Sequence, residues 1–241
     1  MFDHVTLRPS SRSASERFYE TVLAALEVGI TYKDEELVEW NDFSLMDVGA
    51  SRPVTRRLHV GFVAPSRDHV ERFWQAGSDA GYVDAGAPGE RPQYKPGYYG
   101  AFLLDPDGNS VEAVHHGTLR VGGVIDHLWL RVSDFRASNV FYELFAARAG
   151  LEVRHHSLEH LQVVGPSGSF SVAPGVPTAG LHLAVGAPTD EVVDDFHERM
   201  TGAGFRDDGP PGERRMYHPG YYAAFVLDPD GNSIELVNHN R

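Results

Sequence analysis

Along FDHVTLRP, from residue 2 to 9, apolar and polar side chains alternate with the period of a strand that buries one face. The period then lengthens. Phe18, Tyr19, Val22, Leu23 and Leu26 recur at helical spacing, with Ser13 or Ser15 placed to cap the helix start. Short apolar runs at VGITY, LVEW and FSLMDV predict three more strands. LHVGFVA then restarts the series, and Val70, Phe73, Trp74 and Gly77 mark one face of a second helix. YYGAFLL and NSVEAVHH predict two strands joined by DPDG, where Pro, Asp and Gly suit a tight turn. Further on, Val140, Phe141, Leu144 and Phe145 outline a third helix, and Val193, Phe196 and Met200 a fourth. The pattern implies an α+β chain of four similar strand–helix–strand units.

The units are related by a repeat. PGERPQYKPGYYGAFLLDPDGNSVEAV (88–114) returns as PGERRMYHPGYYAAFVLDPDGNSIELV (211–237), an offset of 123 residues. The same offset links FDHVTLR to IDHLWLR, LHVGF to LHLAV, and Phe18-Tyr19 to Phe141-Tyr142. Between these anchors the copies diverge. A boundary is expected in the glycine-bearing stretch HHGTLRVGGV, giving domains 1–118 and 119–241.

Composition narrows the classes. A net charge of −13 repels phosphate backbones, and no basic cluster offsets it, so nucleic acid is not an expected partner. No apolar run approaches the roughly 20 residues that span a bilayer. The start MFDHVTLRPS lacks the basic and apolar regions of a signal peptide, so a cytoplasmic protein is expected. With no cysteine, a metal would have to be bound by His, Asp or Glu.

Three polar positions per copy fall inside strands: His4, His59 and Glu112, then His127, His182 and Glu235. In LHVGFVA the alternation puts Leu58, Val60 and Phe62 on one face and His59, Gly61 and Val63 on the other. The imidazole therefore has small neighbours, as a cup requires. A carboxylate on a core-packed sheet face is costly unless it is paired or bound to a cation. Two imidazoles and one carboxylate suit divalent Fe, Mn, Ni, Co or Zn and leave positions open for water and substrate. Taken singly, such a histidine is more often a satisfied core or surface residue.

With His on the first strand, L-H-V or L-H-L on a later one, and DPDGNS-V/I-E in the closing hairpin, the chain resembles the vicinal-oxygen-chelate superfamily. This superfamily comprises glyoxalases, bleomycin-resistance proteins and extradiol dioxygenases, and the resemblance runs through both copies. It implies tandem βαβββ modules forming two open, cupped mixed β-barrels with helices outside. It also implies a divalent metal at each mouth, held by the six residues named above. Barrels closing within each half would group His4 with His59 and Glu112. Pairing across the halves would group His4 with His182 and Glu235. The sequence leaves both open.

The family's variants match unevenly. Glyoxalase I has a fourth Glu or Gln ligand on the strand ending the first unit, but FSLMDV and SFSVAP supply neither, and Asp47 has no counterpart. Extradiol dioxygenases place Tyr where Phe102 and Phe225 stand. No potassium-binding or phosphonate-binding loop of the fosfomycin-resistance type is present.

Among the remaining residues, Tyr98 and Tyr221 open the last hairpin and are candidate catalytic donors, with core packing the plainer role. Arg8 and Arg131 share a strand face with His4 and His127, where an ion pair is the plainer role than an anionic substrate. His116 and His239 follow each Glu by four residues and are expected in solvent, with support of a metal ligand as the lesser alternative. His155, His156 and His160 are expected on a solvated loop or edge strand, and TDEVVDDFHE on an exposed helix face. His218 stands where the first copy has Lys95, so two sites need not be equivalent. The leading expectation is a metalloenzyme, dioxygenase-like or glyoxalase/lyase-like, acting on a small oxygen-rich molecule. The competing expectation is a metal-free sequestration protein of the bleomycin-resistance type. A homodimer is compatible with either.

Overall fold

The structure is a computed structural model and describes residues 1–47, 52–117 and 122–240. The boundary expected between 118 and 119 lies outside the described residues. Four modules follow one another, each a strand, a helix and three strands. The first is β1 (Phe2–Leu7), α1 (Arg12–Ala24), β2 (Tyr32–Lys33), β3 (Leu37–Trp40) and β4 (Phe43–Met46). The second is β5 (His59–Val63), α2 (Arg67–Asp79), β6 (Val83–Glu90), β7 (Tyr99–Leu104) and β8 (Ser110–His115). The third is β9 (Ile125–Val132), α3 (Phe135–Ala149), β10 (Glu152–Ser157), β11 (His160–Gly165) and β12 (Gly168–Pro174). The fourth is β13 (His182–Gly186), α4 (Asp190–Gly202), β14 (Arg206–Glu213), β15 (Tyr222–Leu227) and β16 (Ser233–Asn238).

These strands make two eight-stranded mixed sheets, β14-β15-β16-β13-β1-β4-β3-β2 and β10-β11-β12-β9-β5-β8-β7-β6. Within each module the first strand lies parallel to the last, and modules join through antiparallel pairs β1–β13 and β5–β9. Neither sheet closes into a barrel; each is an open cup. Each half of the chain gives one module to each cup, so the pairing crosses the repeat. Meanwhile α1 packs on α2 and α3 on α4, which ties the two modules of a half together through their helices.

The DPDGN turn is a second tie. Asp105 accepts from the backbone of Asp107 and Asn109, and its other oxygen accepts from the Tyr19 hydroxyl of α1 at 3.0 Å. Asp228 and Tyr142 repeat this at 2.8 Å. Gly108 and Gly231 close these turns at φ of 82° and 87°, where a side chain would be strained. Beneath the helices lies one continuous apolar cluster that includes Phe18, Phe43, Phe62, Phe141, Phe170 and Phe196.

Several local expectations are corrected. The N-cap of α1 is Ser11, neither Ser13 nor Ser15; Ser15, like Ser138 in the second copy, is a small buried residue on the packed helix face. Val140 is exposed, and α3 instead buries Phe141, Tyr142 and Phe145. Of the strand expected at VGITY, only Tyr32 falls in β2, which runs on to Lys33. β6 and β14 escape the hydrophobic pattern altogether. Both are edge strands with bulged registers, where Pro88, Pro210 and Pro211 need not donate to a ladder on both sides. Among the described residues no helix is long and apolar enough to cross a membrane.

Candidate metal centres

His4 lies on β1, His182 on β13 and Glu235 on β16, three neighbouring strands of one sheet. In the other sheet His127, His59 and Glu112 take the same places on β9, β5 and β8. Of the two groupings that the sequence left open, the structure has the one that crosses the halves. In the β5–β9 cup, His59 Nε2 lies 3.1 Å from His127 Nε2 and 3.1 Å from Glu112 Oε2, and His127 Nε2 lies 3.4 Å from the same oxygen. In the β1–β13 cup the corresponding separations are 3.1 Å for His4–His182, 2.9 Å for His182–Glu235 and 3.6 Å for His4–Glu235. A divalent ion with bonds of about 2.0 to 2.2 Å sets neighbouring donors about 3 to 3.5 Å apart, so both triangles fit one ion.

The surrounding hydrogen bonds aim these three atoms inward. Asp126 accepts from His127 Nδ1 at 2.9 Å, and Asp3 from His4 Nδ1 at 2.9 Å. With Nδ1 donating to a carboxylate, Nε2 presents its lone pair to the centre. Strict alternation would point each Asp away from the neighbouring His. A register shift between Phe2 and His4, and one between Ile125 and His127, turns the acid alongside the ring. The Asp-His pair stood in both copies of the sequence, but its meaning depended on these bulges. Tyr98 donates to Glu112 Oε1 at 2.8 Å and Tyr221 to Glu235 Oε1 at 2.7 Å, leaving Oε2 for the centre.

His116 and His239 are not in open solvent as expected. His116 is buried and meets Asp126 at 2.8 Å; His239 meets Asp3 at 2.7 Å. Each acid thus bridges two imidazoles. His218 extends the chain in one cup only, meeting His239 at 2.8 Å. His160 is likewise half-buried, its ring 4.7 Å from Trp129, whereas His155 lies on the exposed edge strand against Glu143. The side chain of His156 lies outside the described residues. Arg8 is buried and Arg131 exposed.

Electrostatics follow from this packing. Burial disfavours charge on His127, but its bonds to Asp126 and Glu112 outweigh that and push its pKa up to about 9. Burial likewise opposes ionisation of Glu112, yet His127 and His59 hold it down at about 2. In the other cup, burial is overcome by Asp3 and Glu235 at His4, which is raised, while burial wins at His182, which is lowered. Glu235 is lowered by its histidines against the cost of burial. Burial and the adjacent carboxylate raise both Tyr98 and Tyr221 far above the usual phenol range, so each keeps its proton.

The Glyoxalase/Bleomycin resistance protein/Dioxygenase superfamily model matches residues 1–113 and again 124–236, and the chain belongs to this superfamily. A variant of glyoxalase I from Zea mays superposes with a TM-score of 0.71 at 17% identity, over 99% of this chain and 92% of that one. A dioxygenase-like protein from Bacillus subtilis gives 0.65 at 14% identity, over 100% of this chain and 85% of the other. At these identities the likeness is one of fold. No curated protein matches the chain.

Proposed function

We propose that this protein is a metal-dependent enzyme acting on a small oxygen-rich substrate, with one divalent ion per cup. The ligands are His4, His182 and Glu235 in one cup and His59, His127 and Glu112 in the other. The observation that carries the reading is the convergence of three electron-pair donors whose remaining polar contacts mostly face away from the centre. Without a metal, a proton on His127 shared with Glu112 and His59 fills the same triangle, and an entering ion takes its place. A divalent Fe, Mn, Ni, Co or Zn ion in such a site supplies positive charge for substrate oxygens on which negative charge develops.

The chain's own residues fix the donors and shape the mouth. Tyr98 and Tyr221, suggested by the sequence as catalytic donors, serve in this reading as positioning residues, because their protons go to Glu112 and Glu235. Asp126 and Asp3 hold the His tautomers. The halves 1–118 and 119–241 are units of duplication in this reading, and each active unit is a cup built from both.

A second reading is sequestration of a bulky ligand without metal. It draws on the size of the β5–β9 cup, whose cavity of about 1530 Å³ exceeds what a small chelated substrate fills. Metal content by mass spectrometry, on untagged protein purified without chelators, separates the two. Near-stoichiometric metal supports the enzyme. A chain that holds none and fails to take up Fe(II), Mn(II), Ni(II) or Zn(II) supports sequestration.

A further inference from the structure

The two cups share their centres but not their walls. Arg57 and Arg131 line the cavity of the β5–β9 cup. Arg57 Nε donates to Pro177 O at 2.7 Å and Arg131 Nη1 to Pro174 O at 3.4 Å; among the described residues neither guanidinium faces a carboxylate. Both backbones are anchored on Thr178, whose hydroxyl donates to Arg57 O and accepts from Arg131 N. Arg131 also lies over the Trp129 ring at 5.4 Å. The indole Nε1–H is buried without an acceptor among the described residues, a cost that a ligand oxygen would remove. The carboxylates lining this cavity, Glu112 and Asp126, are already held by histidines.

In the β1–β13 cup only Arg131 keeps a cationic counterpart, Arg8. Gly180 replaces Arg57, Thr6 replaces Trp129, and Asp208 stands where the other cup has Ala85. Arg8, the counterpart of Arg131, is buried with its guanidinium on Gly180 O, and nearby Arg52 is taken by Asp208 at 2.7 Å. By register, Glu39 opposite Ser44 takes the place of Gln162 opposite Ser171. One cup therefore presents two guanidiniums that face no carboxylate, whereas the other buries its one counterpart, Arg8, and adds the acids Asp208 and Glu39.

We propose that the β5–β9 cup takes an organic anion, its carboxylate or other oxyanion group seated between Arg57 and Arg131, and that the β1–β13 cup does not bind the same ligand. This rests on the cups being ligand sites as proposed above. It makes the chain a two-site protein with one substrate class per cup rather than two copies of one site.

A matched pair of probes tests it: mandelate and 1-phenylethane-1,2-diol, which share a ring and two vicinal oxygens and differ in charge. Calorimetric titration of the full chain should give one mandelate site per chain, at least about tenfold tighter than the diol, since a charge-assisted contact is worth roughly that factor. Arg57→Ala and Arg131→Ala should each weaken mandelate about tenfold and leave the diol unchanged. Ala85→Asp, which imports the acid of the other cup, should weaken mandelate too. The indole N–H resonance that Trp129→Phe removes should move with mandelate. Equal affinity for both probes, two mandelates per chain, indifference to both arginine variants, or no binding of either probe would overturn the proposal. Metal analysis of the same samples keeps the two readings apart. A metal-free chain that still prefers mandelate supports the anion cup and sinks the enzyme; a metal-loaded chain without preference does the reverse.

Discussion

The β5–β9 and β1–β13 cups are built from equivalent strands whose donor-bearing pairs share a register, and their donor triangles agree within a few tenths of an ångström. Their surroundings differ at close range. In one cup Ser110 Oγ holds His59 Nδ1 at 2.9 Å; in the other Ser233 Oγ turns to Asp208 at 2.8 Å. In one the bridging acid ends on buried His116; in the other it ends on a stacked His239–His218 pair. Strand geometry thus fixes the donors, whereas side chains one step out set how firmly each imidazole is held and what enters beside it.

The comparison breaks most sharply at the carboxylates. Glu112→Gln and Glu235→Gln should each remove one of two bound ions, lowering affinity in the altered cup by more than about 100-fold through loss of a charged ligand. The other cup should stay loaded. Because each cup draws on both halves, Glu112→Gln should spare the site containing His4. Metal content unchanged in both variants would mean that these are not the ligands.

Acidity comes next. In the metal-free β5–β9 cup, His127 keeps its proton up to about pH 9 and Glu112 is ionised down to about pH 2. A metal must displace the imidazole proton, so apparent affinity should rise by up to about tenfold per pH unit from neutrality to about 9, then level off. In the β1–β13 cup only His4 competes in this way, since His182 is lowered. Linkage gives the metal-free protein an alkaline weakness as well. The raised His127 contributes stability fully below its ordinary value of 6.5, and that contribution is lost as pH rises through about 9. The lowered Glu112 contributes above 4.5 and loses its effect as pH falls towards about 2. Melting temperatures with and without metal should diverge most on the alkaline side.

Much of this was legible in the chain. The repeat offset and the DPDGN turns located the modules, and all six donors stood out as polar residues inside apolar strands. What was not legible has physical reasons. The grouping of donors depends on which strand edges pair, and β5 and β13, the two partners open to β1, carry similar patterns, LHVGF and LHLAV, so either satisfies the alternation. Asp3 and Asp126 escaped the sequence reading because strict alternation points them away from His4 and His127, and a bulge cannot be seen in a period of two. His239 read as solvated because its partner Asp3 is 236 residues away, and His116 because the bulge that turns Asp126 towards it leaves no trace in the alternation.

The bridging acids are a milder break. Asp126→Asn keeps the shape but frees His127 to turn and to change tautomer, and it leaves His116 without its carboxylate. Loss of such a partner costs about 10- to 100-fold in metal affinity. Asp3→Asn should cost less, because His239 is less buried and His218 still holds its other side. Competition with a chromophoric chelator would read both.

The smallest expected effect is also the most specific to the comparison. A Cβ built on Gly61 would come within 2.4 Å of His127 Cε1, while Ala184, its counterpart, already carries that carbon beside His4. The two strands therefore differ in the room they leave, and the looser 3.6 Å separation of His4 from Glu235, against 3.4 Å for His127 from Glu112, runs in the same direction. His127 cannot simply move, since Asp126 and Glu112 hold it from two sides. Gly61→Ala should lower metal affinity in the β5–β9 cup by about tenfold, as expected for a ligand displaced by a few tenths of an ångström. Ala184→Gly should change the other cup by no more than about twofold, since it relieves no clash. If Gly61→Ala binds as tightly as the parent, the bulge at Asp126 yields as readily as the one at Asp3, and the difference between the cups lies in their walls alone.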